Sequence, residues 1–166
     1  MNEVGTDPKK TQSSIRLDSG SAKVLRALLA MIGCGLMVAA VAVFLPVKTM
    51  AQMHSWLGLG EFPDAPITRY LARSTSLLYA VHGVLMLYAS FDIKRYWPMI
   101  VVFGWLHVAI GLTMLGIDLS ASMPLYWTAG EGIPIALAGG LIIYLWKKAG
   151  LLQRPAHPDR GDSGQT

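Results

Sequence analysis

The sequence predicts an all-α, polytopic membrane protein: a four-helix transmembrane bundle with a short interfacial helix in the outer loop between the first two spans. Three observations carry this. Of the 166 residues, 53% are hydrophobic and only 14% charged, with a mean hydropathy of +0.45, whereas a soluble domain is about 25% charged. The apolar residues gather in four segments, at about 24–46, 70–91, 97–117 and 124–146. Each has about 20 residues or more, enough to cross a hydrocarbon core about 30 Å thick. Finally, a chain this short has no interior in which four uniformly apolar helices could be buried.

The first segment follows Lys23 and Arg26, the positive flank a signal sequence would have, and Met31-Ile-Gly-Cys34 loosely resembles a lipoprotein cleavage box. Its apolar run continues from Gly35 to Pro46, past the usual signal core of about 7–15 residues, so it reads as a retained span. Cys34 is the only cysteine, which excludes an internal disulfide. Orientation follows from lysine and arginine. Lys9, Lys10, Arg16, Lys23 and Arg26 precede the first span, Lys94 and Arg95 join the second and third, and Lys147, Lys148, Arg154 and Arg160 follow the fourth. These are 11 of the 14 cations; Lys48, Arg69 and Arg73 fall on the other side. The expected location is the bacterial inner (plasma) membrane with both termini cytoplasmic. The net charge of +4 then reflects topology. No basic stripe interleaved with aromatics points to nucleic acid. The expected partners are the lipid bilayer, a second copy of the chain, or other subunits of a membrane complex.

Between the spans, 47-VKTMAQMHSWLGLGEFPDAPITRY-70 places Met50, Met53, Trp56 and Leu57 at helical spacing. That predicts a short amphipathic helix on the outer leaflet, followed by a rigid Gly- and Pro-containing turn. It reads either as a cap on the bundle or as a lid over a ligand site. The connection Phe91-Asp-Ile-Lys-Arg-Tyr-Trp-Pro98 is short and predicts an antiparallel hairpin, with Pro98 in the first turn of the third span. Residues 1–22 and 149–166 are polar and read as disordered cytoplasmic tails around a membrane domain at 23–148.

Several stretches resemble a family of small bacterial four-helix membrane proteins, BphX-like and more distantly DoxX-like. They are His54-Ser-Trp-Leu-Gly-Leu-Gly-Glu-Phe-Pro-Asp-Ala-Pro, Tyr70-Leu-Ala-Arg-Ser-Thr-Ser-Leu-Leu-Tyr-Ala-Val-His-Gly, Gly116-Ile-Asp118 and Trp127-Thr-Ala-Gly-Glu131-Gly. The resemblance covers roughly 24–148 and implies a four-helix membrane bundle without an assigned activity. DoxX-like proteins have been linked to redox and thiol-stress complexes, but this chain has one cysteine for such chemistry.

Two polar layers stand out, because an ionisable side chain at the membrane centre costs roughly 2.5–3.5 kcal/mol on insertion scales. In the outer layer, Arg69 and Arg73 begin a stripe that continues through Ser76, Ala80 and Gly83. Asp118 closes the third span, and Glu131 lies in Gly130-Glu-Gly-Ile-Pro134, where a helix can loosen. Counting residues brings Arg73, Asp118 and Glu131 within roughly 6–8 Å in depth. They are expected to form an ion-pair lock or a pocket for a substrate or proton. In the middle layer, His82 and His107 lie at similar depth, with Tyr79 one turn from His82. Interhelical hydrogen bonding, a bis-histidine haem b site, and a quinone, lipid or proton-relay site are all open. Two histidines alone fall short of a metal site. Close helix packing is expected at Gly83, Gly104, Gly111, Gly132, Ala136 and Gly140.

No Ser-His-Asp order, phosphate loop, CxxC pair or HExxH box is present. No catalytic residue, metal or resident cofactor is therefore expected. Three classes follow: a non-catalytic subunit or accessory factor of a membrane complex, a small transporter or binder using Arg73, Asp118 and Glu131, and a haem or quinone redox subunit using His82 and His107.

Overall fold

The computed structural model describes residues 19–150, and the distal parts of both tails lie outside them. It is helical as predicted. The order is α1 (Ser19–Met37), α2 (Ala39–Phe44), α3 (Val47–Trp56), α4 (Pro66–Phe91), α5 (Trp97–Ser120) and α6 (Leu125–Lys148). Four stretches are long and apolar enough to cross a membrane: Gly20–Phe44 (α1 with α2), Pro66–Phe91, Trp97–Ser120 and Leu125–Lys148.

The boundaries differ from the sequence reading for local reasons. Residues 19–22, read as tail, belong to α1. Ser21, Leu25 and Leu29 form one buried stripe at i, i+4, i+8, so a serine extends an apolar face that hydropathy alone does not show. The second span begins four residues early, at Pro66, because Ala65 is extended and Pro66 takes the first helical position, where a missing N–H costs nothing. The first span is interrupted at Val38, whose N–H bonds the carbonyl of Gly35 at 3.2 Å in a tighter turn. The interfacial helix is present as α3, which follows Pro46 directly.

Pairing is the main difference. The short turn joins α4 to α5, but those two helices approach each other mainly through side chains. α4 packs along α1 and α2, and α5 packs along α6. Glycines set both intimate contacts. Gly33 and Gly83 cross so closely that a Cβ on Gly83 would lie 2.6 Å from the carbonyl oxygen of Gly33. Between α5 and α6, Gly104 meets Gly139, and Gly111 meets Gly132 and Ala136. Gly140, expected in this seam, has open space around its Cβ position; its neighbour Gly139 occupies the contact. The stripe on α6 is therefore Gly132, Ala136 and Gly139, with helical spacing of four then three.

The packed core lies at one end. Leu25 and Leu29 of α1, Met86 and Ala89 of α4, Ile100 and Phe103 of α5, and Ile142, Leu145 and Trp146 of α6 form one buried cluster next to the α4–α5 turn. In that turn Tyr96 donates a hydrogen bond of 2.8 Å to the hydroxyl of Tyr88. This bond raises the Tyr96 phenol above its usual range. The opposite end, bearing α2 and α3, is where the helices leave space.

Candidate functional site

That open end holds an open-sided cavity of about 630 Å³ beneath α3. Ala42 and Leu45 close one side, Met50, Met53, His54 and Leu57 of α3 roof it, and Leu71, Ala72, Thr75 and Ser76 of α4 form its floor. Trp127 of α6 also lines it. The amphipathic pattern read from the sequence explains the roof only in part. Met50 turns inward at 8% exposure while Trp56 turns outward at 84%, so the helix presents methionines rather than its tryptophan to the bundle. The lining is mostly apolar, with His54, Thr68, Thr75 and Ser76 as its polar members and no charged side chain.

His54 is half-buried. Its Nδ1 lies 3.1 Å from the carbonyl oxygen of Gly60, and its ring stands edge-on to Phe62 with centroids 5.6 Å apart. A carbonyl only accepts, so that contact assigns the proton to Nδ1 and leaves Nε2 as the acceptor of the neutral ring. The roof is latched to α6 at its far end, where the Tyr126 hydroxyl donates to the carbonyl of Leu57 at 2.6 Å. Gly58 follows at φ 72°, and a Cβ there would lie 2.9 Å from the Tyr126 hydroxyl oxygen. Glycine is required both for the left-handed turn and for this approach. Tyr126→Phe is expected to weaken the latch by about 1 kcal/mol, raising limited proteolysis between Leu57 and Ala65 by about fivefold. An unchanged cleavage rate would show that the bond does not hold the roof.

The outer polar layer is not an ion-pair lock. Arg73 donates to the backbone carbonyl of Leu45 at 3.3 Å, and the only ion pair among the described residues joins Arg69 to Asp64 at 2.8 Å. The helix pairing explains this: Arg73 lies with α2 and α4, whereas Asp118 and Glu131 belong to the α5–α6 pair. Asp118 continues the Gly104–Gly111 heptad toward α6 and is 3% exposed, and its Oδ2 meets no donor. Glu131 is half-buried and faces a separate cavity of about 400 Å³ with Tyr126, Trp127, Gly130, Pro134 and Ile135. Pro134 removes the N–H that an unbroken helix would direct at the Gly130 carbonyl. Trp127 thus stands between the two cavities.

In the middle layer the structure brings His82 and His107 together, with ring centroids 5.2 Å apart and planes 38° from parallel. His107 is buried, and its Nδ1 lies 2.8 Å from the carbonyl oxygen of Phe103 one turn back, which again assigns the proton to Nδ1. Phe103 stands edge-on to His82 at 5.1 Å, and His82 Nε2 is buried without a partner. Tyr79 does not join them. It is exposed and makes no hydrogen bond to either histidine; its electrostatic neighbour is Glu131. A haem ligated by both histidines would have to lie between rings already in contact, so this arrangement does not fit one. Among the described residues, no three His, Cys, Asp or Glu side chains gather as metal ligands.

Phe103, Trp127, Tyr126 and Gly139 were not singled out from sequence. Gly139 lies three residues from Ala136 and Gly140 four, both helical spacings, so the sequence does not set them apart. Fold and site together define a polytopic helical membrane protein with an apolar cavity roofed by an interfacial helix. Comparison with family models, curated proteins and solved structures finds no match.

Proposed function

We propose that this chain is a small membrane-embedded binding protein that takes an uncharged, hydroxyl-bearing amphiphile into the cavity beneath α3. The observation that carries this reading is the cavity itself. Its volume of about 630 Å³ is within the range of about 300–1,000 Å³ typical of ligand sites, and its lining is mainly apolar with a few polar groups. The reading makes the chain a binder and accessory factor rather than a catalyst. It does not use Arg73, Asp118 and Glu131 as a joint site. The lysine and arginine distribution supports placing it in the bacterial plasma membrane with both termini cytoplasmic and α3 outside. Kinship with BphX-like and DoxX-like proteins rests on the quoted motifs alone.

Which end of the ligand gives selectivity follows from energetics. Apolar walls offer an alkyl chain no advantage over the bilayer, because lipid tails are equally apolar. Preference must come from hydrogen bonds to His54, Thr68, Thr75 or Ser76. Bonds inside membranes contribute about 0.6–1.7 kcal/mol each, so two give a preference of about tenfold or more over bulk lipid. With no carboxylate, lysine or arginine in this lining, a hydroxyl is favoured over a charged head.

The reading is tested by titrating the full chain in nanodiscs with a terminally brominated dodecanol and following tryptophan fluorescence. The component missing in Trp127→Phe is expected to quench saturably, and Ala72→Phe, which fills the cavity floor, is expected to lose that quenching while remaining folded. Linear, non-saturating quenching that is the same in Ala72→Phe would refute a bound site.

A further inference from the structure

On the other face of α4 lies a second groove of about 460 Å³, between α4 and the end of α2. Arg69, Arg73 and Tyr70 line it toward the membrane surface, and Val43 and Leu77 line it toward the membrane interior. Arg73 lies seven residues past Pro66, about 10 Å down the helix axis. A guanidinium there needs a partner, yet it is exposed and makes a single 3.3 Å bond to the Leu45 carbonyl. That leaves most of its five N–H donors free. Arg69 is engaged by Asp64, and Ser74 by the carbonyls of Tyr70 and Leu71, so Arg73 is the open cation of the groove.

From this placement we infer that the Arg69–Arg73 groove holds an anionic phospholipid, with its phosphate on Arg73 and one acyl chain along Val43 and Leu77. Cationic groups above and apolar walls below complement a lipid that is negative at the head and apolar beneath it. Arginine binds a phosphodiester in a forked, charge-assisted geometry that water or a carbonyl does not reproduce. A zwitterionic head would bring its own cation toward Arg73 and Arg69, so phosphatidylglycerol-type heads are preferred over phosphatidylcholine. The site is independent of the cavity beneath α3, and neither reading requires the other.

The test is native mass spectrometry of the full chain released from nanodiscs made of phosphatidylcholine mixed with phosphatidylglycerol. Retained phosphatidylglycerol is expected to be enriched about tenfold over its bulk share, in the wild type and in Ala72→Phe alike. Arg73→Gln is expected to bring the ratio near parity. Tyr70→Glu, which adds a negative charge at the rim and leaves Arg73 in place, does the same if Arg73→Gln assembles poorly. Enrichment should survive added inorganic phosphate. Equal retention of the two lipids by wild type, undiminished enrichment in both variants, or displacement by inorganic phosphate would each overturn the assignment, the last by making the arginines a free-phosphate site.

Discussion

Gly111→Leu is expected to cost at least about 3 kcal/mol, enough to separate α5 from α6, while Gly140→Leu changes stability by less than about 0.5 kcal/mol. A Cβ at Gly111 would meet the amide nitrogen of Ala136 and lie 2.6 Å from the carbonyl oxygen of Gly132. These are backbone atoms that cannot turn aside as a flexible side chain would. Ordinary overpacking costs about 1–3 kcal/mol when side chains can adjust; here the helices themselves must part, and the rest of the seam parts with them. At Gly140 a Cβ meets nothing within 4 Å, so leucine there simply faces lipid. Gly139→Leu should behave like Gly111→Leu, since a Cβ at Gly139 would lie 2.6 Å from the Gly104 carbonyl oxygen. Unfolding midpoints of the four proteins in mixed micelles check the set. Equal loss at Gly139 and Gly140 would mean that α6 is rotated from the orientation described.

The second large effect has the opposite sign. Asp118→Asn is expected to stabilise the bundle by about 1–2 kcal/mol, because a buried carboxylate oxygen that meets no donor carries an uncompensated desolvation cost of about 1–3 kcal/mol or more. Asp118 is almost wholly buried against α6, and its Oδ2 meets no donor. Asparagine keeps the shape and places an uncharged amide there. A helix-locking Asp118 would give the reverse result, since breaking a buried pair is strongly destabilising. The cycle with Arg73→Gln separates the two cases. Arg73 bonds Leu45 on α4's own side of the bundle, so the effects should add to within about 0.5 kcal/mol. A larger coupling would restore the lock.

The contrast between these residues shows what the sequence could convey. Four spans and an interfacial helix were legible because hydropathy and length decide them, and Pro98 marks a helix start by simple backbone logic. Helix pairing was not legible. Every span is apolar around most of its circumference, and small residues recur on several of them, so nothing in the pattern says that α4 chooses α1 over α5. The ion-pair expectation for Arg73 failed for that reason: counting residues per turn speaks to depth, but azimuth depends on pairing. Gly139 and Gly140 are adjacent, and only the observed crossing tells them apart. The His82–His107 contact was more readable, because a short turn fixes relative depth and Gly104 and Gly111 mark the packed face of α5. The cavity's roof is joined to α6 by the hydrogen bond from Tyr126 to Leu57, a contact across 69 positions that no local pattern encodes.

The most direct measurement of the central claim is native mass spectrometry of the wild type and Ala72→Phe, each released gently from the membrane in which it was made. The expected result is one neutral amphiphile of defined mass on the wild type that is absent from a folded Ala72→Phe. A wild-type chain without such an adduct, or one retained equally by Ala72→Phe, would contradict the claim that the space beneath α3 is a binding site.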